Sequence, residues 1–387
     1  MRVALFTDTY VPQKNGAART LGRLAAYLEK RGIEPLVLTP RCSADTEQSF
    51  VRSYPSIPFF LYPECRIAVP NPISLRAELD RFRPDLIHLA TPFNIGLSGL
   101  LYARKNGIPH VASYHTHFDR YLAYYGLQHA SRLYWRYAHW FHRTCAATFV
   151  PSRETLFSLY RHQFGGLRLW QRGVDCGVFR PELRSPEEVR CQFGLPKKKL
   201  ALYVGRLAPE KDLATLAAVM NGLSGETREQ LHLLVVGDGP LLPELRRQMP
   251  DNVTFAGYRE GTELARLYAS ADLFLFPSST ETFGNVVLEA MASGLPVIGA
   301  EAGGVKELVR HGRSGLLCPP GDPASFIDAL ERLLARPEEA ASMGEAGRRE
   351  ALGRSWDQVL GGIVDQYEEI LLLQAESTPA WKGNSVS

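Results

Sequence analysis

Short apolar runs recur along the whole chain, each bounded by glycine, proline or polar residues and separated from the next by helical or polar stretches. In the first half the runs cover residues 2–7, 36–39, 85–90, 110–114 and 147–151. In the second half they read LALYVG, LHLLVVG, VTFAG, ADLFLFP, PVIGA and GLLCPP. Alternation of this kind predicts parallel sheets whose strands are buried on both faces. Two such series predict an α/β protein with two doubly wound, Rossmann-like domains that face a central ligand cleft.

A stretch rich in proline and charge, Val174 to Lys199, separates the two series. The chain has 387 residues, more than a typical single domain. We therefore predict one domain over residues 1–173 and a second over 174–354. An amphipathic helix at about 355–375 is expected to cross back to the first domain, and residues 376–387 are expected to form a flexible tail.

The net charge of +3 hides a strong asymmetry between the two halves. Residues 1–172 carry 22 Lys and Arg against 11 Asp and Glu, and the remaining residues carry 22 against 30. A basic half predicts an anionic partner, either nucleic acid or anionic lipid. The stretch from His117 to Arg172 mixes aromatic and basic residues, which suits a lipid headgroup layer, although packed aromatics with solvated arginines would read the same way. We predict a membrane surface and no nucleic acid.

The six cysteines show no C-x-x-C spacing and no disulfide framework, which predicts the reducing cytoplasm. No apolar run reaches the roughly 18 residues of a membrane-spanning helix. The expected location is therefore cytoplasmic, with a peripheral position on the inner face of the cell membrane as the extension that the basic half favours.

The most informative segment is PSSTETFGNVVLEAMASGLP, residues 277–296. It predicts a strand end, a loop, and a helix that enters near Gly284 and stops at Ser293 and Gly294. Amides at a helix start favour phosphate or sugar oxygens. The amides expected to face the cleft are those of Phe283, Gly284, Asn285 and Val286. Glu281 precedes the helix and Glu289 lies in its second turn, and carboxylates suit the paired hydroxyls of a sugar or a ribose.

The segment VGRLAPEKDL places Arg206 just after a strand and Lys211 five residues later, where we expect the next helix to open. Two cations on one loop suit a diphosphate, and their charge would stabilise it as a leaving group.

Glycines also follow two later strands, at Gly237 in GDGP and at Gly257 before Tyr258. They predict close approach of the backbone to a base or phosphate. The third glycine of a dinucleotide fingerprint is missing, and no nucleotide-triphosphate phosphate loop occurs. A nicotinamide oxidoreductase and a nucleoside-triphosphate hydrolase are therefore disfavoured.

In the first half, Gly16 in NGAART opens a helix after the first strand and can meet donor phosphate or the transferred sugar. The segment SYHTHF puts His115 and His117 at the carboxyl end of the sheet, where ligands bind. One imidazole there can donate to a sugar hydroxyl, and we favour His115. A structural histidine and a metal pair are the alternatives, but no third metal ligand stands at a convincing spacing.

Together these segments resemble the retaining GT-B glycosyltransferases of the large family that contains sucrose synthase, bacterial phosphatidylinositol mannosyltransferases and the sulfolipid synthase. The resemblance runs from Met1 to about Gln374. It implies that residues 1–173 hold the acceptor and residues 174–354 the nucleotide-sugar donor. The implied roles are catalysis for His115 and Glu281; diphosphate binding for Arg206, Lys211, Gly16, Asn285 and Val286; sugar binding for Glu281, Phe283 and Gly284; and ribose binding for Glu289. The glycines that follow the two later strands themselves assign Gly237, Gly257 and Tyr258 to the base region.

One departure from the family pattern is Asn15, which stands where the first loop often carries a glycine. The fit of the donor sugar against this loop is therefore open.

The segments SYHTHF, LRLWQRGVDCGVF and ETFGNVVLEAMASGLP are most similar to family members that are GDP-mannose-dependent α-mannosyltransferases and to sulfoquinovosyl or glucosyl diacylglycerol synthases. The resemblance implies retaining transfer of a hexose from GDP-mannose or a UDP-hexose to a lipid or lipid-linked acceptor. It implies no cofactor and no metal, consistent with the missing D-x-D motif. A soluble sugar or metabolite acceptor, a sugar-nucleotide epimerase of the same fold and a non-catalytic nucleotide-binding module are the alternatives.

Overall fold

A computed structural model of the chain describes residues 1–13, 15–41, 48–59, 62–114, 129 and 131–377. Within these ranges the chain forms two parallel sheets covered by helices, which confirms the predicted fold class. The strands are β1 Arg2–Phe6, β2 Glu34–Pro40, β3 Val51–Tyr54, β4 Ser56–Phe59, β5 Tyr62–Ala68, β6 Leu86–Leu89, β7 His110–Ser113, β8 Ala147–Val150, β9 Leu167–Leu169, β10 Lys199–Val204, β11 Leu231–Val236, β12 Val253–Gly257, β13 Leu273–Phe276, β14 Val297–Ala300 and β15 Gly315–Cys318.

The helices lie between the strands, as the alternating pattern predicts. They are α1 Gly16–Lys30, α2 Pro72–Phe82, α3 Asn94–Asn106, α4 Ser131–His142, α5 Arg153–Arg161, α6 Pro186–Phe193, α7 Leu213–Gly222, α8 Gly225–Gln230, α9 Leu242–Gln248, α10 Gly261–Ser270, α11 Asn285–Ala292, α12 Gly303–Leu308, α13 Pro323–Ala335, α14 Pro337–Leu352 and α15 Trp356–Ser377. Single 3₁₀ turns occupy Pro181–Leu183 and Pro209–Lys211.

The strand order decides where ligands can bind. The first sheet runs β3-β2-β1-β6-β7-β8-β9, and the second runs β12-β11-β10-β13-β14-β15. In each sheet the chain turns back at one point, between β1 and β6 in the first and between β10 and β13 in the second. A crevice forms at the carboxyl ends of the strands on either side of such a point. The segments that follow β1, β10 and β13 therefore meet at the cleft.

Buried aliphatic and aromatic side chains form the core of each half. The core of the second half fills both faces of its sheet. In the first half one face of the sheet packs against the last helix, through side chains such as Leu360, Val364 and Tyr367, which lie among Val3 and Leu5. Apolar burial at this helical spacing holds α15 on the first domain.

The chain crosses between the halves twice, and the two crossings lie side by side. Val174 pairs with Ser355 in an isolated parallel bridge, and its amide donates to the Arg354 carbonyl at 3.0 Å. After the second crossing α15 continues to Ser377. The predicted start of a flexible tail at residue 376 therefore falls inside the helix. Residues 378–387 lie outside the described ranges. In the described part of the chain, no helix has both the length and the apolar character to cross a membrane.

A further contact joins the halves beside the crossings. The Glu307 carboxylate on α12 accepts from the backbone amides of Arg153, at 2.8 Å, and Glu154, at 2.5 Å, at the start of α5. A carboxylate at a helix N-terminus is favourable because it meets unpaired amides and the positive end of the helix dipole. The two halves are therefore joined by the Glu307 hydrogen bonds as well as by the two chain crossings.

Candidate active site

The two halves enclose a cleft of about 1770 Å³ at the carboxyl ends of both sheets. Most of the predicted site residues line it: Gly16, Arg206, Lys211, Gly237, Tyr258, Glu281, Phe283, Gly284, Asn285, Val286 and Glu289. Gly257 does not line the cleft; its carbonyl accepts from the Gly237 amide at 3.0 Å and so supports the neighbouring loop. His115 and His117 lie outside the described residues.

Helix α11 opens directly onto the cleft. Gly284 precedes it with φ of 93°, a left-handed conformation that favours glycine, and no side chain from the described part of the chain caps the helix. The amides of Val287 and Leu288 bond to the Gly284 carbonyl. The first-turn amides of Asn285 and Val286 therefore remain to bind an anion, as is usual at an uncapped helix start.

Two loops that carry charged residues are joined side by side. Asp212 accepts from the backbone amide of Ser279 at 2.7 Å and from its hydroxyl at 2.6 Å, and the Thr280 hydroxyl donates to the Glu210 carbonyl at 2.6 Å. Lys211 forms an ion pair with Glu281. These contacts fix the Lys211 loop to the loop ahead of α11, so that one ligand can touch both.

The expectation that Lys211 opens a helix is wrong in detail. Lys211 ends the 3₁₀ turn, and α7 begins only at Leu213. The residue between them, Asp212, adopts φ of 51°, which interrupts helical geometry. The interruption turns Lys211 into the cleft.

Charge at this end of the cleft is concentrated on buried groups. The Arg206 side chain is 20% exposed and forms an ion pair of 3.5 Å with Glu210, which is almost fully buried. Burial lowers the pKa of Lys211, but the Glu281 carboxylate, together with Tyr203 and Glu210, outweighs burial and leaves the pKa above its ordinary value. Lys211 is therefore a cation at any physiological pH. Two cations and an open helix start together suit a diphosphate.

Glu289 lies deeper on the same helix. The Tyr268 hydroxyl donates to its carboxylate at 3.1 Å. Burial raises the pKa of Glu289 to about 7, against the opposing attraction of Arg19. A half-buried carboxylate that lines the cleft is suited to accept from a ligand's paired hydroxyls.

The first half approaches this site through the start of α1. A Cβ added to Gly16 would lie 2.9 Å from the Asn285 side-chain nitrogen, so glycine allows the two halves to meet here. Asn15 caps α1, since its side-chain oxygen accepts from the Ala18 amide at 2.8 Å and its nitrogen donates to the Thr9 hydroxyl at 2.7 Å. The asparagine thus fixes the helix start that the loop presents to the cleft.

Comparison with known proteins identifies what this geometry serves. Residues 186–350 match the model of the glycosyl transferases group 1, and residues 14–178 match that of glycosyltransferase family 4. A GDP-mannose-dependent alpha-mannosyltransferase from Mycobacterium tuberculosis is 36% identical over 96% of this chain and 97% of that protein. The chain belongs to the group 1 glycosyltransferase family. It is an enzyme that transfers a sugar from a nucleotide-sugar donor.

A second relative and a solved structure are also similar to this glycosyltransferase. An alpha-monoglucosyldiacylglycerol synthase from Streptococcus pneumoniae is 31% identical over 87% of this chain and 79% of that protein. The structure of Anabaena HepE with UDP and glucose superposes with a TM-score of 0.75 at 20% identity, and covers 95% of this chain and all of that one. The superposition shows the GT-B fold.

Sequence reasoning missed some of the residues that shape the glycosyltransferase site. Gly303 and Gly304 pack closely against the loop that carries Glu281, residues 277–284. A Cβ on Gly303 would lie 2.2 Å from the Glu281 carbonyl oxygen, and a Cβ on Gly304 would lie 2.2 Å from that of Phe283. The Gly304 amide also donates to the Glu281 carbonyl at 2.8 Å. Two adjacent glycines after a predicted strand were the available signal. Among the residues with described positions, no three His, Cys, Asp or Glu side chains form a metal-binding group.

Proposed function

We propose that this glycosyltransferase is a retaining mannosyltransferase that moves mannose from GDP-mannose to a lipid or lipid-linked acceptor. The observation that carries the proposal is the joined pair of loops, in which Arg206, Lys211 and Glu281 lie together beside the open start of α11. The mycobacterial relative, named for its dependence on GDP-mannose, supports the donor. A UDP-hexose is the alternative donor.

The cations would act on the leaving group. When the bond between the sugar's anomeric carbon and the β-phosphate oxygen breaks, negative charge accumulates on the diphosphate. Arg206, Lys211 and the residues of the first turn of α11 all line the cleft, and in this proposal the two cations and the first-turn amides neutralise that charge. In this proposal they do the work that a divalent ion does in other transferases, so no metal is required.

Retention follows if the acceptor attacks from the face that the diphosphate leaves. The acceptor oxygen forms its bond to the anomeric carbon on that face, and its proton passes to the departing phosphate oxygen. In this proposal Glu281, which is fixed by Lys211 and by the Gly304 amide, accepts from hydroxyls of the transferred sugar. His115 is proposed to donate to the sugar from the first half.

The acceptor side supports a membrane surface. Helices α4 and α5 expose apolar side chains, Leu133 at 69%, Phe157 at 62% and Tyr160 at 71%. Exposed arginines accompany them, Arg132, Arg136, Arg153 and Arg161. Apolar side chains among cations suit the headgroup layer of an anionic membrane. The diacylglycerol named in the pneumococcal relative supports a lipid acceptor.

Product analysis tests the proposal. The enzyme is incubated with GDP-mannose, UDP-glucose, UDP-galactose or UDP-sulfoquinovose and with vesicles of anionic lipid extract, in EDTA, and the vesicles are then sedimented. We expect an α-linked mannolipid from GDP-mannose and enzyme in the pellet. A β-linked product would overturn retention, product only in the supernatant would overturn the lipid acceptor, and activity only without EDTA would overturn metal independence.

Variants assign the chemistry to the site. Glu281→Ala is expected to lower transfer more than it weakens GDP binding, because its carboxylate meets the sugar and not the diphosphate. Arg206→Ala should weaken GDP binding about tenfold or more, since a charged hydrogen bond is lost. Glu229→Ala, an exposed acid on α8, is the matched control. Equal activity of Glu281→Ala and the control would refute the assignment.

A further inference from the structure

Helix α1 presents a narrow exposed face to the cleft. Gly16, Arg19, Arg23 and Ala26 are exposed, follow each other at helical spacing and all line the cleft. The opposite face, with Leu21, Leu24 and Leu28, is buried in the first domain. On the cleft face the small residues leave room around two arginines. A helix of the acceptor half therefore carries two cations toward the donor half.

Arg19 reaches the nucleoside end of the donor site. Its guanidinium donates to the Tyr258 hydroxyl at 2.9 Å, and that hydroxyl donates to Glu260 at 2.7 Å. Arg19 also attracts Glu289, since its charge opposes the effect of burial on that carboxylate. Tyr258 belongs to the expected base region and Glu289 to the expected ribose site. Arg19 therefore lies near the groups expected to surround the nucleoside, whereas Arg206 and Lys211 serve the diphosphate.

An exposed arginine has more donors than one tyrosine can use. The guanidinium offers five N–H groups in a planar fork, and the hydroxyl of Tyr258 takes one of them. Among the described residues this guanidinium makes no other hydrogen bond, and Arg19 is exposed and lines the cleft in which a nucleotide would be bound. Ribose and phosphate oxygens are the acceptors that such a fork binds best.

We infer that Arg19 is a donor-binding residue supplied by the acceptor half, whose guanidinium binds the nucleoside monophosphate portion of the donor through its ribose or α-phosphate oxygens. The inference rests on the proposed function, because it takes the donor to be a sugar nucleotide seated on Glu289 and Lys211. A nucleotide bound in this way touches both halves at once. Donor binding would then hold the two halves together, with the acceptor bound to the same half as Arg19.

Calorimetric titration of the whole chain with GDP and GMP tests the inference. Arg19→Ala is expected to weaken the binding of both nucleotides about tenfold, the effect of one charged hydrogen bond. Arg206→Ala should weaken GDP binding far more than GMP binding, because GMP lacks the β-phosphate. Lys30→Ala removes a charge from the same helix outside the cleft and should change neither affinity. Titration with guanosine, which has no phosphate, tells whether Arg19 binds the ribose or the α-phosphate. If Arg19→Ala weakens guanosine binding as much as GMP binding, Arg19 binds the ribose. If Arg19→Ala leaves guanosine binding unchanged, Arg19 binds the α-phosphate.

Tyr258→Phe distinguishes binding from bracing. If Arg19 binds the nucleotide, Arg19→Ala weakens GMP binding by a similar factor in the wild-type and in the Tyr258→Phe background, whatever Tyr258→Phe does by itself. Equal losses in the two single variants, with no further loss in the double variant, would reduce Arg19 to a brace and overturn the inference. Unchanged GMP affinity in Arg19→Ala, with a circular dichroism melting curve like that of Lys30→Ala, would also overturn it.

The proposed function fails separately. Wild-type protein that binds neither GDP nor UDP would refute the donor site and the inference with it. Wild-type protein that binds UDP but not GDP would refute only the donor base, and the same titrations with UDP and UMP then decide the role of Arg19.

Discussion

Replacing Lys211 by methionine removes the cation from the ion pair with Glu281 while it leaves a side chain of similar length. The two side chains are only 17% and 16% exposed, so the remaining carboxylate has little access to water. Breaking a buried pair by removing one partner costs about 3 to 5 kcal/mol. Because about a sixth of each side chain still meets solvent, we expect the lower end of that range, about 3 kcal/mol.

A second substitution separates the stability effect from ligand binding. In Lys211→Met with Glu281→Gln the buried charge is gone, and we expect most of the lost stability to return, leaving a deficit of about 1 kcal/mol. Affinity for GDP should not return, because the diphosphate has lost its lysine in both variants. The expected weakening is about tenfold to a hundredfold, from a charged hydrogen bond.

Urea unfolding at pH 7, followed by circular dichroism, measures the stability of the wild type, of Lys211→Met and of the double variant. Titration calorimetry with GDP measures binding in the same set. Full stability of Lys211→Met would refute the energetic reasoning. Recovery of GDP affinity in the double variant would show that Lys211 acts only by holding Glu281, and would refute direct contact with the diphosphate.

The other predictions concern Glu289, the carboxylate proposed to bind the ribose, and Gly304, which packs against the loop that carries Glu281. With a pKa of about 7, Glu289 is ionised at pH 8 and mostly protonated at pH 6, so its contribution to GDP affinity should fall about tenfold as the pH is lowered from 8 to 6. Calorimetry should find that GDP affinity depends less on pH in Glu289→Gln than in the wild type. The same pH dependence in both proteins would contradict the assignment. Gly304→Ala would drive a Cβ into the Phe283 backbone, so we expect the loop to shift, kcat/KM to fall and stability to drop by about 1 to 3 kcal/mol. Gly225→Ala, where a Cβ has open space, is the control, and equal kcat/KM in both variants would refute the role of Gly304.

The regular elements could be predicted because their signals are local. Continuous apolar runs mark buried strands, and a left-handed glycine such as Gly284 marks a helix boundary, whatever the rest of the chain does. All the runs noted in the sequence are strands in the structure. The strands that escaped notice, β3, β4, β5 and β9, are short or lie at the edge of a sheet, where partial exposure weakens the apolar pattern.

The residue types of the site were also readable, because cations, glycines and carboxylates follow strand ends in a parallel fold. Their pairing was not. Lys211 meets Glu281 only because β10 and β13, distant in the chain, are neighbours in the sheet and bring their following loops together. Likewise Asp212 interrupts the expected helix start because its carboxylate accepts from Ser279 in that second loop.

Sequence alone therefore determined the two α/β halves, the start of α11 at Gly284 and the kinds of side chain available to bind a sugar nucleotide. Tertiary structure alone decided which of those side chains touch. Arg19 and Tyr258 show the difference most clearly, since they belong to different halves and are hydrogen-bonded across the cleft. Local propensity extends over a few residues, whereas the order of strands in a sheet and the closure of two domains depend on burial summed over the whole chain.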